Sequence, residues 1–255
     1  MIEPGSESGF LSKPFMEHLG DLRKALVWAA LFLLVGMAVA VPFTPWIVEI
    51  LKNPLRVAGL DPETFLTTTT VMGGFSIVVR TVMWSGIILS APFVLGAIAW
   101  FVFPGLTRRE RGTVIGAVVA SAALFAGGAI LGYVMMPMAL RVFLAISAWA
   151  GIVVKFYDMA NYFTFVLQVL LVFGLVFQLP IVVLALGYMG IVDSGMLRRT
   201  RRHVYVAVLI VAMVVTPQQD PFSMLALAVP LAILHEACIW ILWFRERRQE
   251  GEARA

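Results

Sequence analysis

Apolar residues run along this chain in long stretches, without the strict alternation of a half-buried strand or the one-sided stripe of a soluble helix. The first stretch covers residues 25–41 and meets Pro42 and Pro45. The second, about 74–103, carries Arg80 near its start, and the third, about 114–136, stops at Pro137. The fourth covers about 162–189. The fifth, 204–215, precedes Thr216-Pro217, and the sixth, about 222–244, holds Pro230, His235 and Glu236. A membrane-spanning helix needs about 20 mostly apolar residues, because the hydrocarbon core is ~30 Å thick. The pattern therefore predicts an all-α polytopic membrane protein with six transmembrane helices. At 12 residues the fifth stretch reaches only ~18 Å. It predicts either a re-entrant hairpin or core helix that stops short of the far face, or a locally thinned bilayer at the last two, short helices.

Ahead of the first stretch, Phe15, Leu19, Leu22 and Leu26 fall at steps of four, three and four, one apolar stripe of a helix. Ser12 suits its cap and Pro14 its first turn. Residues 1–24 thus read as a juxtamembrane segment with an amphipathic helix lying on the membrane surface. The core then covers 25–244 and a polar tail 245–255. Residues 1–12 lack a basic flank, a short apolar run and a small-residue cleavage site, so the first span is expected to stay in the mature chain. The six stretches do not divide into two halves with matching breaks, as an inverted-repeat transporter would.

Composition supports the pattern. Of 255 residues, 61% are hydrophobic and 13% charged, where soluble domains run at ~45–50% and ~25%. A soluble enzyme and a disordered chain are both excluded. The single cysteine, Cys238, excludes an intramolecular disulfide framework and a multi-cysteine metal centre. The net charge of +4 gains meaning once it is placed. Fourteen of the 19 Lys and Arg residues lie in the N-terminal segment, at 108–111, at 198–202 and in the tail. The positive-inside rule then puts both termini in the cytoplasm, which agrees with an even number of spans. The charge reports topology, and no nucleic-acid partner is implied.

Ionisable and polar groups inside spans are costly and need a reason. Arg80 is close enough to its helix end to snorkel outward. Gln178 precedes Pro180, which frees a carbonyl one turn earlier, so it serves either that local backbone or an interhelical hydrogen bond. Glu236, beside His235, pairs with a basic loop residue or meets another helix. Asp220 is placed to cap the sixth helix. Chemistry finds little support. His235-Glu236 lacks the second histidine of a zinc-protease motif, because residue 239 is Ile, and there is no nucleophile elbow or phosphate-binding loop. No cofactor, metal or catalytic residue is expected. In the cytoplasmic segments, Glu110 sits among Arg108, Arg109 and Arg111, and Asp21 lies near Arg23 and Lys24. Each reads as a solvated ion pair or as a carboxylate that can take a guanidinium through paired hydrogen bonds.

Taken in order, the local motifs resemble the TatC family, the receptor subunit of the twin-arginine protein translocase. The likeness spans about residues 15–244. It begins with His18-Leu19-Gly20-Asp21-Leu22-Arg23, like the family's His-Leu-x-Glu-Leu-Arg, and continues with Pro54-Leu55 and Ser90-Ala91-Pro92. Phe101-x-x-Pro104-Gly105-Leu106 and Glu110-Arg111 follow. Then come Phe173-Gly174-x-x-Phe177-Gln178-x-Pro180, Thr216-Pro217 with Asp220, and Pro230 with Glu236.

The resemblance implies a curved six-span bundle with a concave face in the bacterial or archaeal cytoplasmic membrane, the thylakoid membrane being the lesser alternative. It implies no enzymatic turnover. It implies recognition of twin-arginine signal peptides of folded cargo, single-span partners of the TatA and TatB type, transport driven by the proton-motive force, and a homo-oligomer within the receptor complex. Carried over by motif, Leu19, Asp21, Arg23, Glu110 and Arg111 form the signal-binding patch, and Gln178 and Glu236 an intramembrane polar site. Met213, Thr216 and Asp220 dock partner helices, while Pro54, Pro104, Pro180 and Pro230 are structural. Gln178 stands where the family usually has Glu, which removes a titratable group and keeps hydrogen bonding. Asp21 is one methylene shorter than the usual Glu, Trp100 is displaced by one position, and Val71-Met72-Gly73-Gly74 replaces an expected acidic residue. The competing readings are a secondary transporter or channel for a small solute, motivated by Arg80, Gln178 and Glu236, and, last, an intramembrane enzyme using His235 or Glu236.

Overall fold

The computed structural model describes residues 12–102, 111–188, 190–215 and 221–254. The chain is nearly all helical: α1 Ser12–Ala58, α2 Pro62–Phe65, α3 Gly73–Val102, α4 Arg111–Trp149, α5 Met159–Val176, α6 Leu179–Tyr188, α7 Ser194–Val215 and α8 Pro221–Arg254. Two short strands, β1 Leu66–Thr67 and β2 Tyr157–Asp158, pair in parallel.

Among the described residues, five segments are long and apolar enough to cross a membrane: Gly20–Ala58, Gly73–Ile98, Val118–Trp149, Met159–Tyr188 and Met224–Arg248. The α7 helix is not among them. Four arginines occupy positions 198–202, and its apolar part is the short run noted above.

The first helix corrects the sequence reading. It does not end at Pro42 and Pro45 but continues for 47 residues, with Pro42, Pro45 and Pro54 inside it. Proline removes one backbone donor and disturbs the carbonyl four residues earlier, which a membrane helix tolerates when neighbours satisfy the freed groups. Around Pro45, the Thr44 hydroxyl donates to the Ala40 carbonyl at 3.0 Å. Pro54 frees the Ile50 carbonyl, and the Tyr133 hydroxyl on α4 donates to it at 2.8 Å. The next carbonyl, Leu51, accepts from the Tyr162 hydroxyl on α5 at 3.0 Å. Residues 24 and 25 lie within this same helix, with no break between the N-terminal segment and the span. At ~1.5 Å per residue α1 measures ~70 Å, more than twice the hydrocarbon core.

The far end of α1 is closed by Gly59 at φ +92°, with Leu60 N–H donating to Leu55 O at 3.0 Å and Gly59 N–H to Arg56 O at 3.1 Å. Gly151 at φ +74° closes α4 in the same way. Only glycine adopts this left-handed turn without a Cβ penalty. The Arg141 guanidinium donates to the Val57 carbonyl at 2.5 Å, a cation at a helix C-terminus. The loops beyond these ends are joined by the small parallel sheet, Leu66 opposite Tyr157 and Thr67 opposite Asp158.

The fourth stretch, read as one span, is two helices. The chain turns at Phe177-Gln178, and α6 restarts ahead of Pro180. The main core lies where α1, α4 and α5 meet, with Leu51, Leu55, Met136, Leu140, Phe163 and Val166 all nearly inaccessible. Elsewhere large apolar side chains face outward, such as Leu34, Trp46, Ile130 and Ile233. That distribution suits a surface bathed in lipid.

Candidate functional site

The α4–α5 contact sets the first polar site. Its register comes from glycines facing aromatic rings. A Cβ on Gly174 would stand 2.6 Å from Phe125 Cε2, and one on Gly128 would stand 2.5 Å from the Phe173 carbonyl oxygen. Ser121, Phe125, Gly128 and Gly132 follow at helical spacing along one face of α4. Locking Phe125 over Gly174 therefore places Ser121, one turn earlier, opposite Gln178. The Ser121 hydroxyl donates to Gln178 Oε1 at 2.5 Å, and Gln178 Nε2 donates back to the Ser121 carbonyl at 3.0 Å. Both residues are buried. Of the two roles open to Gln178, the interhelical hydrogen bond is the one adopted, and its partner lies in the same chain.

The second polar group joins α7 to α8. Arg201 Nη2 lies 2.5 Å from Glu236 Oε2, and the Tyr205 hydroxyl donates to Glu236 Oε1 at 2.5 Å. Arg201 and Tyr205 are four apart, so one face of α7 offers both donors to a single carboxylate. Next to it, His235 is buried, with its ring 6.2 Å from that of Tyr205. His235 and Cys238 line an apolar cleft of about 200 Å³ between α6, α7 and α8. The Cys238 thiol donates to the Pro180 carbonyl at 3.6 Å.

Gln178 and Glu236 were grouped from the sequence as one intramembrane site. Gln178 bonds to α4 and Glu236 to α7, and among the described residues no hydrogen bond joins the two. Arg80 is exposed, with Nη1 3.5 Å from Asn161 Oδ1 on α5.

Of the patch assigned to the signal peptide, Asp21 and Arg23 sit on the N-terminal part of α1. Asp21 Oδ1 pairs with Lys24 Nζ at 3.1 Å, one turn along the helix and open to solvent. Arg23 is exposed. Leu19 lies in α1 and Arg111 opens α4. Glu110, Pro104, Thr216 and Asp220 lie outside the described residues. Met213 is exposed near the end of α7, a helix that packs chiefly on α8. Pro54 and Pro230 lie inside α1 and α8, and Pro180 opens α6.

Sequence reasoning did not single out Ser121, Arg201, Tyr205 or the tyrosines that serve Pro54. A serine or tyrosine in an apolar run is a weak signal. Its partner lies 57 positions away for Ser121 and 31 for Tyr205, so only the packed fold reveals the pairing.

The family described as "Sec-independent protein translocase protein (TatC)" matches residues 17–230. A Sec-independent protein translocase protein TatC of Deinococcus radiodurans is 34% identical over 227 residues, covering 88% of this chain and 84% of the relative. A chloroplastic TATC of Pisum sativum is 32% identical, covering 89% of this chain and 63% of the relative. Among solved structures, a twin arginine translocase receptor TatC in the detergent DDM superposes with a TM-score of 0.75 at 27% identity. The superposition covers 88% of this chain and 99% of that one.

Proposed function

The chain belongs to the TatC family and is a component of Sec-independent protein translocation in the inner membrane; on that premise we propose that it is the receptor that binds twin-arginine signal peptides at the cytoplasmic face. The observation that carries this reading is the likeness to a solved twin arginine translocase receptor over 88% of the chain. Its physical basis is an exposed carboxylate on the side where the basic residues gather. Among the described side chains Asp21 pairs with Lys24 alone, in a solvated i,i+3 pair, and such pairs contribute ~0.2–0.5 kcal/mol. An incoming guanidinium can displace the ammonium and form two parallel hydrogen bonds. Glu110 supplies the second carboxylate for the second arginine, with Leu19, Arg23 and Arg111 shaping the patch.

In this reading α7 is the short fifth span and α8 is the sixth. Against the sequence expectation α8 is not short, since Met224–Arg248 is long enough to cross. In the same reading both termini are cytoplasmic, and the bundle is curved with a concave face. Single-span subunits of the TatA and TatB type dock along α7 near Met213, Thr216 and Asp220, and several copies assemble in the receptor complex. The proton-motive force drives transport. The small-solute reading is disfavoured because two of the three residues that motivated it are occupied by partners within the chain: Gln178 by Ser121 and Glu236 by Arg201 and Tyr205. An enzyme using Glu236 is disfavoured for the same reason.

The test is complementation in a strain lacking its own receptor subunit, with a reporter exported only through a twin-arginine signal. Export restored by this chain, and abolished when the paired arginines become lysines, supports the reading. Export insensitive to that replacement overturns it. Site-specific crosslinking then addresses the patch: Glu110→Gln and Asp21→Asn are each expected to reduce signal-peptide crosslinks by about tenfold, the loss of one charge-assisted contact. Undiminished crosslinking in both overturns the site assignment and leaves the family membership intact.

A further inference from the structure

Two helices bring two guanidinium groups onto one indole where the apolar part of α8 ends. The Arg247 guanidinium carbon lies 4.0 Å from the centre of the Trp243 ring, and that of Arg198, from α7, lies 5.5 Å from it. Trp243 packs against Trp240 at 5.7 Å and Phe244 at 5.0 Å between ring centres.

Three acids, on α8 and at the start of α7, are committed elsewhere. Glu236 holds Arg201. Glu246 accepts from the Ser194 backbone N–H at 2.8 Å and from its hydroxyl. Asp193 accepts from the Met196 N–H and caps α7. Arg245 is spent on the end of α6, donating to the Gly187 carbonyl at 3.0 Å and lying 4.2 Å from the Tyr188 ring centre. Among the described side chains, which on α8 end at residue 248, neither Arg198 nor Arg247 has a carboxylate oxygen within 4.0 Å. Both are exposed.

A second feature continues from this cluster. Phe244, Trp240, Ala237, Ile233 and Val229 follow at helical spacing and form an exposed apolar stripe running down α8. The cluster therefore joins an anion-seeking head to an apolar track at the level where a span leaves the hydrocarbon. Aromatic rings and arginines at that depth mark the headgroup region, and guanidinium forks match phosphate oxygens.

We propose that Arg198, Arg247 and Trp243 form a binding site for an anionic glycerophospholipid, its phosphate held between the two guanidinium groups and an acyl chain lying along Trp240 and Ile233. A twin-arginine peptide is cationic and is repelled from this corner, so the site is separate from the signal-binding patch. A free phosphate or an acidic protein segment has the charge and not the acyl chain, and would leave the stripe unused.

The experiment uses the full chain in nanodiscs of phosphatidylcholine containing a minor fraction of cardiolipin. Lipid carried with the protein is then counted by native mass spectrometry. Wild type is expected to enrich cardiolipin over phosphatidylcholine. Arg198→Gln with Arg247→Gln is expected to lower that enrichment about tenfold. Arg199→Gln with Arg202→Gln, which removes the same charge from α7, is expected to leave it within about twofold. Arg198→Lys with Arg247→Lys keeps the charge without the fork and is expected to lower the enrichment less than the glutamine pair does, which separates loss of the site from misfolding. Equal loss in the two glutamine pairs, no enrichment in wild type, or displacement of cardiolipin by inorganic phosphate or an acidic peptide would each overturn the proposal.

Discussion

The Tyr133 hydroxyl donates at 2.8 Å to the carbonyl of Ile50, the residue four before Pro54. Proline at 54 has no N–H for that carbonyl, so a side chain from another helix replaces the lost backbone donor. The expected consequence is a non-additive pair of variants. Tyr133→Phe removes the donor and should cost about 1 kcal/mol, the scale of hydrogen bonds between membrane helices. In a Pro54→Ala background the new amide can reach Ile50, and the same Tyr133→Phe change should cost about half as much or less. Thermal unfolding of the four proteins in one detergent checks this. Equal costs in both backgrounds would show that the hydroxyl does not substitute for the missing amide.

That relationship also marks the limit of what was legible. The apolar stretches gave the helix positions because length and hydropathy are properties of single segments. The continuation of α1 through Pro42, Pro45 and Pro54 was not legible, since the effect of a membrane proline depends on its packing neighbours, and the side chains that serve the carbonyls before Pro54 are distant in sequence. Tyr133 lies 83 positions from Ile50 and Tyr162 lies 111 from Leu51. Gln178 is legible because a polar group in an apolar run is conspicuous, while Ser121 is too small to be. For Glu236 two readings stand open, a basic loop residue or another helix, and its partner Arg201, in a stretch read as loop, lies within α7.

Ser121 and Gln178 exchange two hydrogen bonds in a buried contact between α4 and the α5–α6 turn. Ser121→Ala should leave Gln178 Oε1 without its donor, at a cost of about 1 kcal/mol. Gln178→Leu should cost a similar amount, and the double variant should cost less than the sum, because two absent partners leave nothing unpaired. If Gln178 contributes to transport beyond this pairing, Gln178→Leu will lower export more than Ser121→Ala does at equal stability. Parallel measurement of unfolding midpoints and reporter export decides between the two.

Tyr157 lies outside the membrane-spanning segments, in β2, with its ring 4.9 Å from that of Phe65 and edge-on to it. Burial pushes its phenol above the ordinary value. A group whose folded-state pKa is raised contributes stability that is complete below the unfolded value of ~10 and is lost as pH rises through the folded value. Wild type should therefore lose stability above about pH 10, and Tyr157→Phe should lose less over the same window. The half-open setting limits the difference to a fraction of ~1 kcal/mol. Identical alkaline limbs in the two proteins would show that the tyrosine titrates freely in the fold.

Glu236 is the only acid that Arg201 contacts among the described residues, and α7 packs chiefly on α8. Removing the carboxylate should therefore free one helix rather than unfold the chain. Glu236→Ala leaves a half-buried guanidinium and the Tyr205 hydroxyl unpaired. The expected cost is about 1–3 kcal/mol, reduced from the fully buried case by partial exposure. Disulfide trapping between cysteines placed on facing turns of α7 and α8 should become slower or less specific, while trapping between α4 and α5 should not change. Arg201→Lys keeps the charge and one hydrogen bond and should weaken trapping much less. If Glu236→Ala leaves α7–α8 trapping as fast as in wild type, apolar packing alone holds this pair, and the ion pair serves another purpose.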